Sequence, residues 1–205
     1  MCKKTSRQRV LLSTSCFGSP DLDLRPAPLQ RHTMSAWAQE CPGCGYVAAS
    51  INDESGVEPG RLGREDYVTC SGLGLGSGLA ERFYRQYLLA LDAGDIEQAF
   101  SAILHAAWAC DDKAGEGENA VKCRKIALVL IDRLIEEKAP HNDSLRLQRA
   151  DLLRRAGEFG LLLEQYKDAV FHSELHNRII AFQLRKAKMG DARRYTVRSA
   201  ERDAE

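Results

Sequence analysis

From residue 79 onward, apolar side chains recur every third or fourth position. "LAERFYRQYLLALDAGD" places Phe83, Tyr84, Tyr87, Leu88 and Leu91 on one face, which predicts an amphipathic helix. "DIEQAFSAILHAAWACDD" does the same with Ile96, Ala99, Phe100, Ile103, Ala107 and Trp108. "AVKCRKIALVLIDRLIEEKAP" predicts a long apolar helix that stops before Pro140. "NDSLRLQRADLLRRAGE" predicts a helix capped by Asn142 or Asp143. "EFGLLLEQYKDAVFH" and "ELHNRIIAFQLRKAKMGD" complete the run, and the basic tail "ARRYTVRSAERDAE" is helical at its start.

The first 78 residues lack this period. "RVLLSTSC" has the β-branched and apolar content of a strand, whereas Gly18, Pro20, Pro26 and Pro28 exclude helix from "FGSPDLDLRPAPL". "TMSAWAQECPGCGYVAAS" brings a short strand or helix into a cysteine turn, and "INDESGVEPGRLGRED" reads as a polar loop. "SGLGLGSG" reads as a linker into a helix capped near Ser77. The expected organisation is a small N-terminal module over 1–70, a Gly-rich linker over 71–78 and a helical domain over 79–205.

The helical part repeats. "LDAGDIEQAF", "RRAGEFGLLL" and "AKMGDARRYT" each put a glycine and an acid between a helix end and a new helix start. Gly157 and Gly190 are 33 residues apart, close to the tetratricopeptide period of about 34, and Gly94 lies 63 before Gly157, near two periods with an insertion. On that register Ala99, Ala106 and Ala169 fall at small packing positions, while Leu162 and Tyr195 depart from them. The predicted fold is mainly α, a tetratricopeptide-like helical repeat bundle with a small N-terminal β-rich zinc-ribbon-like module. A plain helical bundle is the simpler alternative.

Charge changes this picture little. The 29 basic and 29 acidic residues cancel, so no global field favours nucleic acid or a membrane surface. Locally, residues 178–203 carry eight Lys/Arg against three Asp/Glu. That basic end suits nucleic acid as a weaker expectation, or a polar cap on a helical stack. No run approaches the ~18 apolar residues of a membrane span, and Val10–Leu12 is short of the ~7–15 of a secretory core. Seven cysteines, an odd number, fit a reducing, cytoplasmic setting better than a disulfide framework.

The cysteines carry the candidate chemistry. In "ECPGCGY", Cys41 and Cys44 form a C-x-x-C turn in which Pro42 fixes the bend and Gly45 permits a positive φ. Two thiolates of this kind make half of a tetrahedral metal site, with zinc as the expected ion and iron as the alternative. The remaining ligands come from Cys2, Cys16, Cys70 or His32, with Cys2 ahead of the weaker Cys16. Cys110 and Cys123 lie in predicted helices. Cys2 reads as the second cysteine of a first knuckle whose mate would stand three residues earlier, ahead of Met1, or has been lost. A metal-free turn and a redox pair are the alternatives, the latter without the βαβ setting it needs.

"LLSTSCFGSPDLDLRP", "WAQECPGCGY" and the helices after them resemble, over roughly 10–200, an uncharacterised bacterial domain-of-unknown-function family that joins a CPxCGY knuckle to tetratricopeptide-like helices. The resemblance implies an earlier C-x-x-C pair, of which this sequence keeps only Cys2, and implies no activity.

Other motifs read as structural. In an extended strand Asp21, Asp23 and Arg25 would share one face, as a cation or acid–base pair or, preferably, as an ion-pair network. Glycines 72, 74, 76 and 78 match no nucleotide-binding spacing. His105 reads as a packed residue, and His172 with His176 as a weak metal pair across a helix boundary. The expected function is a non-enzymatic scaffold that binds a protein or peptide on its helical repeat face. A nucleic-acid-binding zinc ribbon is the alternative, and a metal or redox protein using the C-x-x-C pair is less favoured.

Overall fold

The structure, a computed structural model, describes residues 2–52, 56–58, 60–70, 72–138 and 141–203. It is mainly helical: α1 (Glu65–Thr69), α2 (Gly78–Asp92), α3 (Ile96–Asp111), α4 (Gly117–Lys138), α5 (Asp143–Arg155), α6 (Phe159–Tyr166), α7 (Glu174–Lys188) and α8 (Val197–Arg202). Two short strands, β1 (Gln39–Glu40) and β2 (Val47–Ala48), pair antiparallel with Glu40 opposite Val47. Among the described residues these are the only paired strands, so the N-terminal region is rich in loops and not in sheet.

The chain divides into two compact units, 1–15 with 32–123, and 16–31 with 124–205. The division does not follow the composition shift at 71–78. It arises because residues 16–31 pack with the C-terminal helices, while the cysteine turn packs with α1 and α2.

In the first unit α2 and α3 form a hairpin. Ser77 caps α2 by accepting the Ala80 N–H, and Asp95 caps α3 by accepting that of Gln98. Gly94 turns between them at φ 71°, in the region that favours glycine. Phe83 and Tyr84 are buried, as are all six residues expected on the core face of α3. Tyr87, Leu88 and Leu91 are only half-buried. Arg82 and Arg85 tie α2 to the strands: Arg82 donates to the Ala38 carbonyl at 3.1 Å, and Arg85 to Glu40 at 2.9 Å and the Tyr67 carbonyl at 3.1 Å.

In the second unit, α5 packs on α6 and α7, and α7 on α8. Its core holds Leu22, Leu153, Leu162, Phe171, Ile180 and Phe182 among others. Asn142 caps α5 through the Leu145 N–H. Gly157, at φ 79°, makes the α5–α6 turn.

Several expectations fail for local reasons. The strand over "RVLLSTSC" is absent. Val10 and Leu12 are 66% and 93% exposed, and Cys16 makes only an isolated bridge to Leu29. Asp21–Arg25 is a turn and not an extended strand: the Asp21 N–H donates to the Arg25 carbonyl at 3.0 Å and Leu24 has φ 67°. The third glycine–acid copy does not start a helix. Asp191 accepts from Arg193 and from the Tyr195 hydroxyl at 2.7 Å, and α8 begins only after Thr196. The polar loop carries a 3-10 turn at Arg61–Gly63 and runs into the first residues of α1, while its residues 53–55 and 59 lie outside the described residues, as does Pro140.

A candidate three-cysteine metal centre

β1 enters the cysteine turn and β2 leaves it. The Cys41 N–H donates to the Tyr46 carbonyl at 2.8 Å, and the Gly45 N–H returns to the Cys41 carbonyl at 2.9 Å. Gly45 takes φ 71°, the conformation that closes the knuckle. The Tyr67 hydroxyl, on α1, donates to the Gly45 carbonyl at 2.7 Å. Burial pushes the Tyr67 phenol well above its ordinary pKa, so it stays a donor.

The N-terminal segment lies over this turn. Gln8 donates to the Glu40 carbonyl at 3.0 Å, which anchors the segment beside β1. A Cβ at position 43 would stand 2.9 Å from the Cys2 sulfur and 2.7 Å from Lys4 Cδ. Glycine is therefore the residue that lets the segment approach.

That approach brings three sulfurs together. Cys2, Cys41 and Cys44 place Sγ atoms all within 4.8 Å of one another, and the Cys2–Cys41 pair is 3.6 Å apart. Tetrahedral geometry with a metal–sulfur bond of ~2.3 Å demands sulfur–sulfur edges of ~3.8 Å, so the measured pair fits a shared ion. Among the described residues this is the one group of three or more His, Cys, Asp or Glu side chains at metal-holding distances. The trio is close enough to hold a metal ion.

Backbone amides support negative charge there. The peptide N–H groups of Gly43 and then Cys44 bring the Cys41 thiol down from 9.0 to about 7. At Cys2 the Lys4 N–H also lowers the pKa. Hydrogen bonds to Cys41 and Cys44, with burial, outweigh it and leave that thiol above its usual value. Cys41 is 7% exposed, Cys44 half-buried and Cys2 exposed.

The remaining candidates sit elsewhere. Cys16 belongs to the other unit, where its thiol donates to Gln30 at 2.8 Å. Cys70 is buried with its sulfur 3.9 Å from the Tyr67 carbonyl, and His32 is exposed; neither joins the trio. Met1 lies outside the described residues. Cys110 and Cys123 are buried thiols within α3 and α4.

His105 is packed between aromatic rings, with Trp37 and Phe83 at 5.1 Å and Trp108 at 4.9 Å. His172 and His176 both face Asp143, with Nδ1 atoms 2.9 and 3.5 Å from its Oδ2. Ser173 caps α7 between them, so the two are not on one continuous helix.

Asp21, Asp23 and Arg25 are all buried, in the second unit. Asp21 pairs with Arg31 at 2.8 Å, and Asp23 with Arg155 at 2.9 Å and Arg124 at 3.9 Å. Gln148, on α5, donates to the Asp23 carbonyl at 2.8 Å. An ion-pair network does form, but the arginines that meet the two carboxylates include Arg31, Arg155 and Arg124, whereas Arg25, given that role from the sequence, meets Asp23 through its backbone N–H at 3.3 Å. Sequence reasoning missed the network's far partners on α4 and α5, together with Asp143 and Gly43; Gly43 had a visible signal only in its place inside the C-P-G-C turn.

No family model, curated protein or solved structure matches the chain.

Proposed function

We propose that the chain is a non-enzymatic, cytoplasmic protein-interaction scaffold, whose three-cysteine centre holds zinc in a structural role and whose helix pairs are tetratricopeptide-like. The observation that carries this reading is the convergence of Cys2, Cys41 and Cys44, whose sulfurs all lie within 4.8 Å of one another, close enough to share one ion. The setting supports a structural role. The knuckle is bonded to α1 through Tyr67 and clamped to α2 through Arg85, so the ion would join the N-terminal segment to a helical frame. The α2–α3 and α5–α6 pairs, each turned on a glycine followed by an acid, support the repeat reading.

Zinc is preferred over iron because the two thiolates of the C-x-x-C turn, joined by that of Cys2, match the thiolate-rich ligation of structural zinc. Nucleic-acid binding is less supported. In the basic C-terminal stretch, Arg178 pairs with Glu174, Arg185 with Asp203 and Arg193 with Asp191, which weakens the field available to phosphates. No helix among the described residues is long and apolar enough to cross a membrane.

Chelation tests the structural role. Stripping zinc from the full chain with a strong chelator should lower its thermal midpoint, and re-adding zinc should restore it. A midpoint indifferent to both steps would overturn the reading. Affinity capture followed by crosslinking then tests the scaffold role, which fails if no polypeptide is crosslinked to the helices.

A further inference from the structure

The three cysteines form part of the wall of a cavity of about 1000 Å³ in the first unit. That is at the upper end of the roughly 300–1,000 Å³ typical of ligand pockets, and far more than one small donor fills. Lys3 and Lys4, both exposed, line the same cavity, and Trp37, Tyr46 and Ile51 give it an apolar side. Over residues 2–9 the flanking sequence carries Lys3, Lys4, Arg7 and Arg9 and no acid. Among the described residues no fourth His, Cys, Asp or Glu joins the trio at coordinating distance. A tetrahedral ion held by three thiolates therefore has one position that no described side chain fills, on a centre that opens to a positively charged, peptide-sized groove.

We propose that this fourth position takes the thiolate of a cysteine in an acidic segment of a partner protein. The inference rests on the zinc reading above. A fourth soft donor matches the other three. Acidic neighbours of that cysteine would face Lys3 and Lys4, while its apolar neighbours would meet Trp37, Tyr46 and Ile51. Binding exchanges one bound water for the thiolate. The thiol proton passes to solvent, and no electrons are transferred.

The test uses the zinc-loaded 205-residue chain, dialysed free of thiol, and X-ray absorption at the zinc edge. The expected starting shell is three sulfurs at ~2.3 Å and one oxygen at ~2.0 Å. Adding the peptide Asp-Cys-Glu, blocked at both ends, should replace the oxygen with a fourth sulfur. The same peptide with serine should not. Half-conversion should need about tenfold less peptide than 2-mercaptoethanol, the scale of two exposed ion pairs. K3E, which leaves Lys4 and its packing on Gly43 in place, should cut that preference to about threefold, the loss of one of the two ion pairs, and keep one zinc per chain. Four sulfurs before any addition would overturn the proposal by showing that the chain supplies its own fourth ligand. So would an oxygen that no thiol displaces, or a peptide no better than 2-mercaptoethanol. In each of those cases zinc stays bound and the structural reading stands. Failure to load zinc at all overturns both.

Discussion

Asp23→Ala should be the most destabilising single substitution in the turn over residues 20–26. The Asp23 side chain is fully buried and stands 2.9 Å from Arg155 and 3.9 Å from Arg124, both of them buried too. Its second oxygen accepts the Arg25 N–H at 3.3 Å. Truncation leaves buried positive charge without this carboxylate, a change that costs about 3–5 kcal/mol. With a urea slope of about 2 kcal/mol per molar, the midpoint should fall by roughly 1.5–2.5 M. The assay is urea unfolding of the full chain followed by far-ultraviolet circular dichroism. Arg185→Ala is the control. It breaks a partly exposed pair with Asp203 at 2.5 Å, worth about 0–1 kcal/mol, so its midpoint should move by less than about 0.5 M. The triple variant Asp23→Leu with Arg155→Met and Arg124→Met should recover much of the loss, because a buried ionic cluster replaced as a whole by apolar groups of similar volume is often neutral. An Asp23→Ala shift no larger than that of Arg185→Ala would refute the reasoning.

Further outcomes follow from other contacts. Gly43→Ala should weaken zinc binding about tenfold, since the added Cβ displaces Cys2 and Lys4; competition against a chromophoric chelator measures it, and an unchanged affinity would count against the packed geometry. The Asp143 carboxyl is held down at about 2, first by the His172 peptide N–H and then by the His172 and His176 side chains. Because its folded value is depressed, its contribution to stability is complete above the unfolded value of about 3.9 and is lost as pH falls toward 2. His172→Ala keeps the peptide N–H and removes the ring, so carboxyl NMR should show Asp143 titrating higher yet still below 3.9. An unmoved midpoint would mean the imidazole contributes nothing. Gly157→Ala should cost about 1 kcal/mol from its φ of 79° alone, as the new Cβ meets no atom within 4 Å; chemical denaturation reads it, and a neutral result would contradict the turn geometry.

The helices were legible because their signals are local. Periodicity marked the buried face of α3, and Ser77 and Asn142 announced their caps within a few residues of the N–H groups they accept. The C-x-x-C turn was equally local, and Cys2 could be ranked first among its partners. Two kinds of feature were hidden. Val10–Leu12 has strand composition, yet a strand needs a partner, and nothing local in the sequence shows that the segment lacks one. The Asp23–Arg155 pair spans 132 residues. Arg154 and Arg155 at the end of α5 are both buried, Arg154 donating to Asp151 at 2.5 Å and to the Asp191 and Arg193 carbonyls, which no local pattern announces. Glycine and acid in "AKMGDARRYT" match the other two turns. What differs is that Arg193 and Tyr195 occupy the Asp191 carboxylate, a competition visible only in three dimensions.

The central claim is that Cys2, Cys41 and Cys44 together hold one ion. Metal analysis of the full chain and its single serine variants, purified without chelator, addresses it most directly. The account predicts about one zinc per chain in the parent and in Cys16→Ser and Cys70→Ser, and a marked loss in Cys2→Ser, Cys41→Ser and Cys44→Ser. A metal-free parent, or zinc that survives Cys41→Ser but is lost with Cys16→Ser, would contradict it.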